Sequence, residues 1–378
     1  ILAEQHAATA ARLLGEATRH ALLTSATTEK ERARILASVA AGETSLLLGT
    51  HALLERDLAF RSLGLVIVDE QHRFGVRQRV TLAERRDDAA GAGEAGAGSH
   101  LLVLTATPIP RSLALTLYGD LDLSPLDEKP PGRSPVKTEV ASGAAREVLP
   151  RILRDELDRG GSAFVVYPIV EASEKSDLKA ATEMAATLAS RSDLADAGVT
   201  LVHGRMKAEE RRAAIARFRA GAARVLVATT VVEVGIDIPD ATLIVIEHPE
   251  RFGLAQLHQL RGRVGRSDRA GRCVLLVGSS LGENARQRLD VFHRVTDGFQ
   301  LAEADLRLRG PGEILGTSQH GFPELRAANP LQDADLVEAA RSIAAELLTE
   351  REEAAEGSDV RGWIEAHFAG AERYLGSG

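Results

Sequence analysis

The sequence predicts an α/β protein built from two parallel-sheet domains, and three observations predict it. Short runs of apolar, often β-branched residues recur at 63–68, 163–167, 199–202, 224–229, 242–247 and 272–277. Such runs form strands buried on both faces of a parallel sheet. Amphipathic stretches long enough for helices lie between them, so strand and helix alternate. The alternation breaks at Glu128-Lys129-Pro130-Pro131-Gly132-Arg133-Ser134-Pro135, where turn residues crowd together. The domain boundary is placed there.

Composition bounds the answer. The 378 residues suffice for two full cores and a smaller third piece, and 44% apolar with 26% charged residues is ordinary for a globular chain. No uninterrupted run of 18 apolar residues occurs, so no membrane helix is expected. The single cysteine, Cys273, excludes an intrachain disulfide, suits a reducing compartment, and sits in an apolar run as a core residue. The net charge is −8, so any contact with nucleic acid must come from local basic patches. The chain begins at Ile1 with a helical pattern and no signal peptide.

In chain order, 2–19 reads as a helix with apolar Leu2, Leu13 and Leu14, followed by strand 20–25, helix 29–41 and strand 45–48. Gly49-Thr50-His51-Ala52-Leu53 follows that strand. Strand 63–68 ends in Asp69-Glu70-Gln71-His72. A carboxylate at the carboxyl end of a strand can hold Mg²⁺ through water, and an adjacent carboxylate can deprotonate an attacking water. Residues 87–99 are mostly Gly, Ala and small polar residues and read as a surface insertion. Strand 101–104 leads into Thr105-Ala106-Thr107-Pro108.

Past the linker the expected order is strand 136–140, helix 144–159, strand 163–167, helix 178–190 and strand 199–202. The last ends in His203-Gly204-Arg205-Met206. Helix 208–219 should bury Ile215 and Phe218 and expose Arg211 and Arg212. Strands 224–229 and 242–247 each lead into polar, Gly-containing sequence, where α/β sheets place ligands. The first such segment carries Gly235 and Asp237, and the second ends in Gln259, Arg261, Arg263 and Arg266. Arg263 and Arg266 share a face if helical. Guanidinium groups fork onto phosphate oxygens, and one aimed at a transferring phosphoryl group contributes about 10³–10⁵ in rate. An Arg-rich helix is by default a solvated basic face, and only the resemblance given below turns this one toward phosphate. Strand 272–277 and helices 284–295 and 299–308 precede a stretch, 309–321, whose four glycines and one proline exclude a regular helix. A charged amphipathic helix is expected at 333–353, with Asp333 as its N-cap. Trp363 and Phe368 beyond it read as core or docking residues.

Residues 229–239 and 259–266 resemble motifs V and VI of superfamily 2 helicases. Asp69-Glu70-Gln71-His72 and Arg309-Gly310-Pro311-Gly312-Glu313 narrow the resemblance to the RecG family, over about residues 1–325. The resemblance implies two RecA-like domains, the first incomplete, then a helical-hairpin and loop segment and C-terminal helices. The expected extents are 1–128, 129–280 and 281–378. It implies ATP and Mg²⁺ as cofactors, with Asp69 holding the metal through water. Catalytic roles fall to Asp69, Glu70, Gln259, Arg263 and Arg266, and nucleotide binding to Gly235 and Asp237. Coupling falls to His72, Thr105 and Thr107, and DNA binding or translocation to His51, Arg205, Thr229, Arg288, Arg309 and Gln319. Ser318 and His320 depart from the family pattern.

The implied activity is a motor that remodels branched duplex DNA, such as stalled forks and Holliday junctions, in recombination and repair. It would work as a monomer in the bacterial cytoplasm and nucleoid, with single-strand DNA-binding protein as a candidate partner and no membrane partner. Two alternatives stand beside it: a non-enzymatic DNA-binding or regulatory protein, and a duplex translocase like Mfd. No G-x-x-x-x-G-K-[ST] phosphate loop occurs, so the chain reads as truncated at its N-terminus and is expected to hydrolyse ATP poorly by itself.

Overall fold

The computed structural model describes residues 2–15, 18–55, 57–70, 99–105, 134–143, 145–168, 174–229, 241–265, 269–278 and 281–309, with single positions at 122–128 and 335–346. The chain divides into two compact units, Pro125–Arg309 and a unit formed by Ile1–Ser124 with Gly310–Gly378.

The first unit opens with α1 (Leu2–Leu14), β1 (His20–Leu23), α2 (Glu29–Ala40) and β2 (Leu46–Gly49). β3 (Leu65–Val68) and β4 (His100–Val103) follow. β1 pairs in parallel with β2, and β3 with β4. Leu23, Ile35, Val39, Ala52 and Leu58 form a small core. Thr28 caps α2 by accepting a hydrogen bond from the Glu31 N–H. α1 stops at Leu14, short of the expected residue 19, because Gly15 takes a left-handed conformation (φ 57°) that ends helices readily. It buries none of its residues, and Leu13 and Leu14 are exposed.

The second unit is a six-stranded, all-parallel sheet in the order β5-β10-β9-β6-β8-β7. Its strands are β5 (Lys137–Ser142), β6 (Ala163–Tyr167), β7 (Val199–Val202), β8 (Val225–Thr229), β9 (Leu243–Glu247) and β10 (Arg272–Val277). Every residue of β6, β8 and β9 is buried, the signature of strands covered on both faces.

Alternate residues feed two separate cores. Phe164, Leu226, Ile244, Ile246 and Leu275 pack with α5 (Ala208–Arg219), α6 (Leu254–Arg261), α7 (Glu283–Arg294) and α8 (Gly298–Arg309). Val165, Val227, Leu243, Val245 and Val274 pack with α3 (Ala145–Asp158) and α4 (Glu174–Ala189). The rings of Phe164 and Phe218 stack with centroids 5.2 Å apart. Ile215 and Phe218 face inward as expected, while Arg211 is half-buried rather than exposed.

One polar contact fixes how α6 meets α7. Arg261, at the end of α6, is 4% exposed. Its Nη1 donates to the carbonyls of Phe292 and Val295 at 3.1 and 3.0 Å. Its Nη2 donates to the Thr296 carbonyl and to His258 Nδ1, each at 3.1 Å. The guanidinium lies 4.3 Å from the Phe292 ring centroid, within reach of a cation–π contact. Those carbonyls belong to the end of α7, where the helix dipole is negative and carbonyls lack intrahelical partners.

Two outcomes test this arrangement. Arg261→Ala strands several buried acceptors and is expected to lower the stability of the second unit by at least about 2 kcal/mol in urea unfolding; Arg261→Lys, which lacks the planar fork, should not restore it. Gly198→Ala should also destabilise, by about 1 kcal/mol or more. Gly198 has φ 62°, and an added Cβ would lie 2.6 Å from the Ala222 carbonyl oxygen.

Candidate functional site

In the first unit the acidic pair lies just past β3. Glu70 adopts a left-handed backbone (φ 53°), uncommon for a residue with a Cβ and often found at functional turns. Its N–H donates to Asp69 Oδ1 at 2.9 Å, so the turn folds onto its own carboxylate. Asp69 Oδ2 lies 3.1 Å from His6 Nε2 of α1, with both side chains partly exposed. His6 carries no role in the sequence reading. Its contact with Asp69 spans 63 positions of chain, which only folding reveals. Thr105 follows β4, and His51 opens a short 3-10 turn, His51–Leu54, after β2.

In the second unit the expected residues fall in two places. Gln259 lies near the end of α6, and Arg263 lies in the turn after it. Gln259 Nε2 is buried without a hydrogen-bond partner. A buried donor left unpaired costs about 1–3 kcal/mol, which marks it as a place for a ligand oxygen. The chain enters α6 through Pro249–Arg251, a 3-10 turn, and Gln256 accepts from the Gly253 N–H at the helix start. Arg288 of α7 donates to the carbonyls of Glu250 and Phe252 at 2.7 and 3.2 Å. Arg251 forks onto Asp177 of α4, both bonds 2.8 Å. The phosphate-type segment is therefore braced at its entry by Arg288 and at its exit by Arg261. Arg261 shares the motif with Arg263 but faces inward, which repetition of one residue type cannot reveal.

The second place is the carboxyl edge of the sheet. Thr229 ends β8, fully buried, with its hydroxyl lacking a hydrogen-bond partner. His203 follows β7, and its backbone N–H donates to the Met206 sulfur at 3.4 Å. Burial, and then the Arg205 charge, lower the pKa of the His203 imidazole. Its Nδ1 is buried and without a partner. Arg205 lies exposed in the same turn. Cys273 is fully buried and its thiol is pushed up to about 12 by desolvation, so it is a core residue and no nucleophile.

Gly235, Asp237, His72, Thr107, Arg266 and Gln319 lie outside the described residues, as do most of 333–353 and both Trp363 and Phe368. Arg309 is described only as the last residue of α8. Taken unit by unit, Asp69 and Glu70 of the first offer carboxylate oxygens that suit a hard cation keeping its waters, and Arg263 and Gln259 of the second offer guanidinium and amide donors that suit phosphate. No helix among the described residues is long and apolar enough to cross a membrane.

Comparison with known proteins agrees with this distribution. Residues 1–116 match the DEAD/DEAH box helicase family, 144–268 the helicase conserved C-terminal domain, and 295–363 the C-terminal part of domain 3 of the ATP-dependent DNA helicase RecG. The chain is 46% identical to the ATP-dependent DNA helicase RecG of Synechocystis over 329 residues, covering 87% of this chain and 38% of that protein. It is 46% identical to RecG of Thermotoga maritima over 327 residues, 86% of this chain and 40% of that one. A solved structure of RecG bound to a three-way DNA junction superposes with a TM-score of 0.65 at 42% identity, over 89% of this chain and 42% of that one. Dbp5 of S. cerevisiae shares the fold alone, with a TM-score of 0.53 at 18% identity over 82% and 78% of the two chains. The chain thus spans about two fifths of the length of these RecG relatives. With three helicase family models in sequence order and close to half its residues shared with RecG proteins, the chain belongs to the RecG helicase family.

Proposed function

We propose that this chain is the motor portion of an ATP-dependent DNA helicase that remodels branched DNA. One observation carries the reading: the segment holding Gln259 and Arg263 is braced by two arginines against α7, the first helix of the pair leading to the glycine-rich segment. Residues 1–128 and 129–280 are read as the two RecA-like domains, and 281–378 as the translocation segment and C-terminal helices.

When bound, ATP with Mg²⁺ would supply the hydrolysable phosphoanhydride and its charge. Asp69 would hold the metal through water, and Glu70 would accept the proton of an attacking water. Arg263 and Arg266 would neutralise charge on the transferring phosphoryl group, Gln259 would orient it beside them, and Gly235 and Asp237 are the residues proposed to hold the nucleotide. A change at Arg263 passes to α7 through Arg261 and Arg288, because these side chains are held by backbone carbonyls that cannot move independently. Arg288 thus serves translocation from inside the hairpin. Thr229 is buried, so its part in DNA engagement runs through the chain that follows it. His51, Arg205, Arg309 and Gln319 are the proposed DNA contacts, and His72, Thr105 and Thr107 the coupling residues. Three-way junctions and forks are the proposed substrates, since a relative is solved on such a junction. Monomeric action in the bacterial cytoplasm and nucleoid, with single-strand DNA-binding protein as a partner, completes the reading.

The test is ATP hydrolysis by the natural full-length protein and by this chain, with and without forked DNA. The full-length protein should hydrolyse ATP faster on forks. Glu70→Gln should reduce turnover about 10²–10⁴-fold and Arg263→Ala about 10³-fold or more, with fork binding retained in both. A full-length protein that binds forks yet leaves ATP intact would replace this reading with the non-enzymatic one.

A further inference from the structure

At the carboxyl edge of the second unit's sheet, three polar residues stand side by side on the three central strands. Register pairs Thr229 of β8 with Tyr167 of β6, and pairs Val166 of β6 with Ile246 of β9, which sets Glu247 beside Tyr167. By strand alternation all three point to the face covered by α3 and α4. Tyr167 is 5% exposed, Glu247 3% and Thr229 fully buried. The Tyr167 hydroxyl donates to Glu247 Oε1 at 3.4 Å. The chain leaves β9 through His248, a non-glycine residue held at φ 49°.

Among the described residues, no cation balances this carboxyl. Arg251, four residues on, is forked onto Asp177, the charged residue that α4 buries. His248 turns to Glu250, its ring nitrogen 3.1 Å from that carboxylate, and Glu250 is a like charge. α3 and α4 otherwise present apolar residues to this layer, among them Leu149, Leu153, Ala181 and Met184. A buried carboxylate without a partner charge is costly, so a group in this setting holds its proton. A neutral carboxyl is also a donor as well as an acceptor, and the unpartnered Thr229 hydroxyl lies in the same row.

We propose that Glu247 is a positioning residue for the motor: in its neutral form, bonded to Tyr167, it holds the ends of β6, β8 and β9 in line. From the ends of β8 and β9 depart the segments that carry Gly235, Asp237, Gln259 and Arg263, so the function of this row rests on the helicase reading above. Desolvation, the largest influence, lifts the Glu247 carboxyl from 4.5 to about 7, against the smaller opposing effects of His248 and Tyr167. The folded form therefore binds the proton more tightly than the unfolded chain. Its stabilising effect is complete below about pH 4.5 and is lost as pH rises through about 7. Above that pH the row carries an unbalanced charge and its alignment loosens.

The experiment follows backbone amide resonances of Thr229, Tyr167 and Glu247 from pH 5.5 to 8.5 in this chain, wild-type and Glu247→Gln. Glutamine keeps the size and the hydrogen bonding and removes the proton. The three amides should shift together with one midpoint near 7 in the wild-type and stay still in Glu247→Gln. In the natural full-length protein, DNA-stimulated ATP turnover should fall through the same midpoint, to half its low-pH value there, and Glu247→Gln should abolish that fall while retaining turnover. A midpoint that persists in Glu247→Gln, or identical pH–rate profiles for the two proteins, overturns the proposal. A full-length protein without ATP turnover at any pH removes the helicase reading instead, and the amide titration then decides whether Glu247 organises this edge.

Discussion

A permanently charged group, buried and paired with no carboxylate among the described residues, governs the second unit. Arg261 cannot shed its proton, so folding must bring it enough acceptors to replace water. The end of α7 offers those acceptors as carbonyls that no helical N–H can reach. The two needs are met by one contact, and that contact determines where α7 ends relative to α6. His258 adds a further acceptor; because a guanidinium can only donate, His258 Nδ1 carries no proton in this arrangement. Arg288 makes the reverse connection from α7 to the approach of α6. Two helices joined at both ends by multidentate bonds move as one piece, which is what a transmitting element requires.

The sheet beneath them is unequal at its two ends. At the amino edge, polar groups are matched. Arg272 binds Glu156 and Glu139, Arg224 binds the carbonyls of Leu157 and Gly161, and Thr242 exchanges hydrogen bonds with the Ser162 backbone. Thr138, on edge strand β5, is the exception. At the carboxyl edge the accounts differ: the Thr229 hydroxyl and His203 Nδ1 are buried and unpartnered, and Glu247 has no cation among the described residues. Parallel sheets bind ligands at their carboxyl ends, and unmatched polar groups gather where binding or movement is later needed. The amino edge is built for stability and the carboxyl edge for change.

Much of this was legible in the residues. β6, β7, α5 and β10 have the limits that hydrophobic pattern alone suggests, because the strands are bounded by turn-forming or polar residues such as Pro168, His203 and Gly278, and the helix keeps its apolar stripe from end to end. α4 starts at Glu174, before the expected 178, since its first turn is polar and Asp177 is held by Arg251 instead of by apolar packing. α1 was over-extended by reading through Gly15. The spacing of Gln259, Arg263, Asp69 and Glu70 is a local pattern, so the sequence alone is enough to single them out as candidates. Arg261, Glu247 and His6 were not. Arg261 needs the carbonyls of residues 292–296, and His6 needs Asp69, contacts 31 to 63 positions away in the chain. Glu247 reads as the polar end of a strand until its burial and its neighbours are known.

This division has a physical basis. A residue that acts on an external ligand must carry its chemistry outward, so its type and spacing survive as a local pattern. A residue that acts on another part of the fold is specified by its partner's position, and carbonyl partners leave no trace in side-chain identity. Arg261 and Arg263 stand two apart in one short segment, yet one turns into the protein and the other follows the helix end. Arg261 closes α6 and holds the carbonyls at the end of α7, whereas Arg263 follows in the turn after the helix, so the bracing group and the candidate phosphate group are separated by a single residue, Gly262.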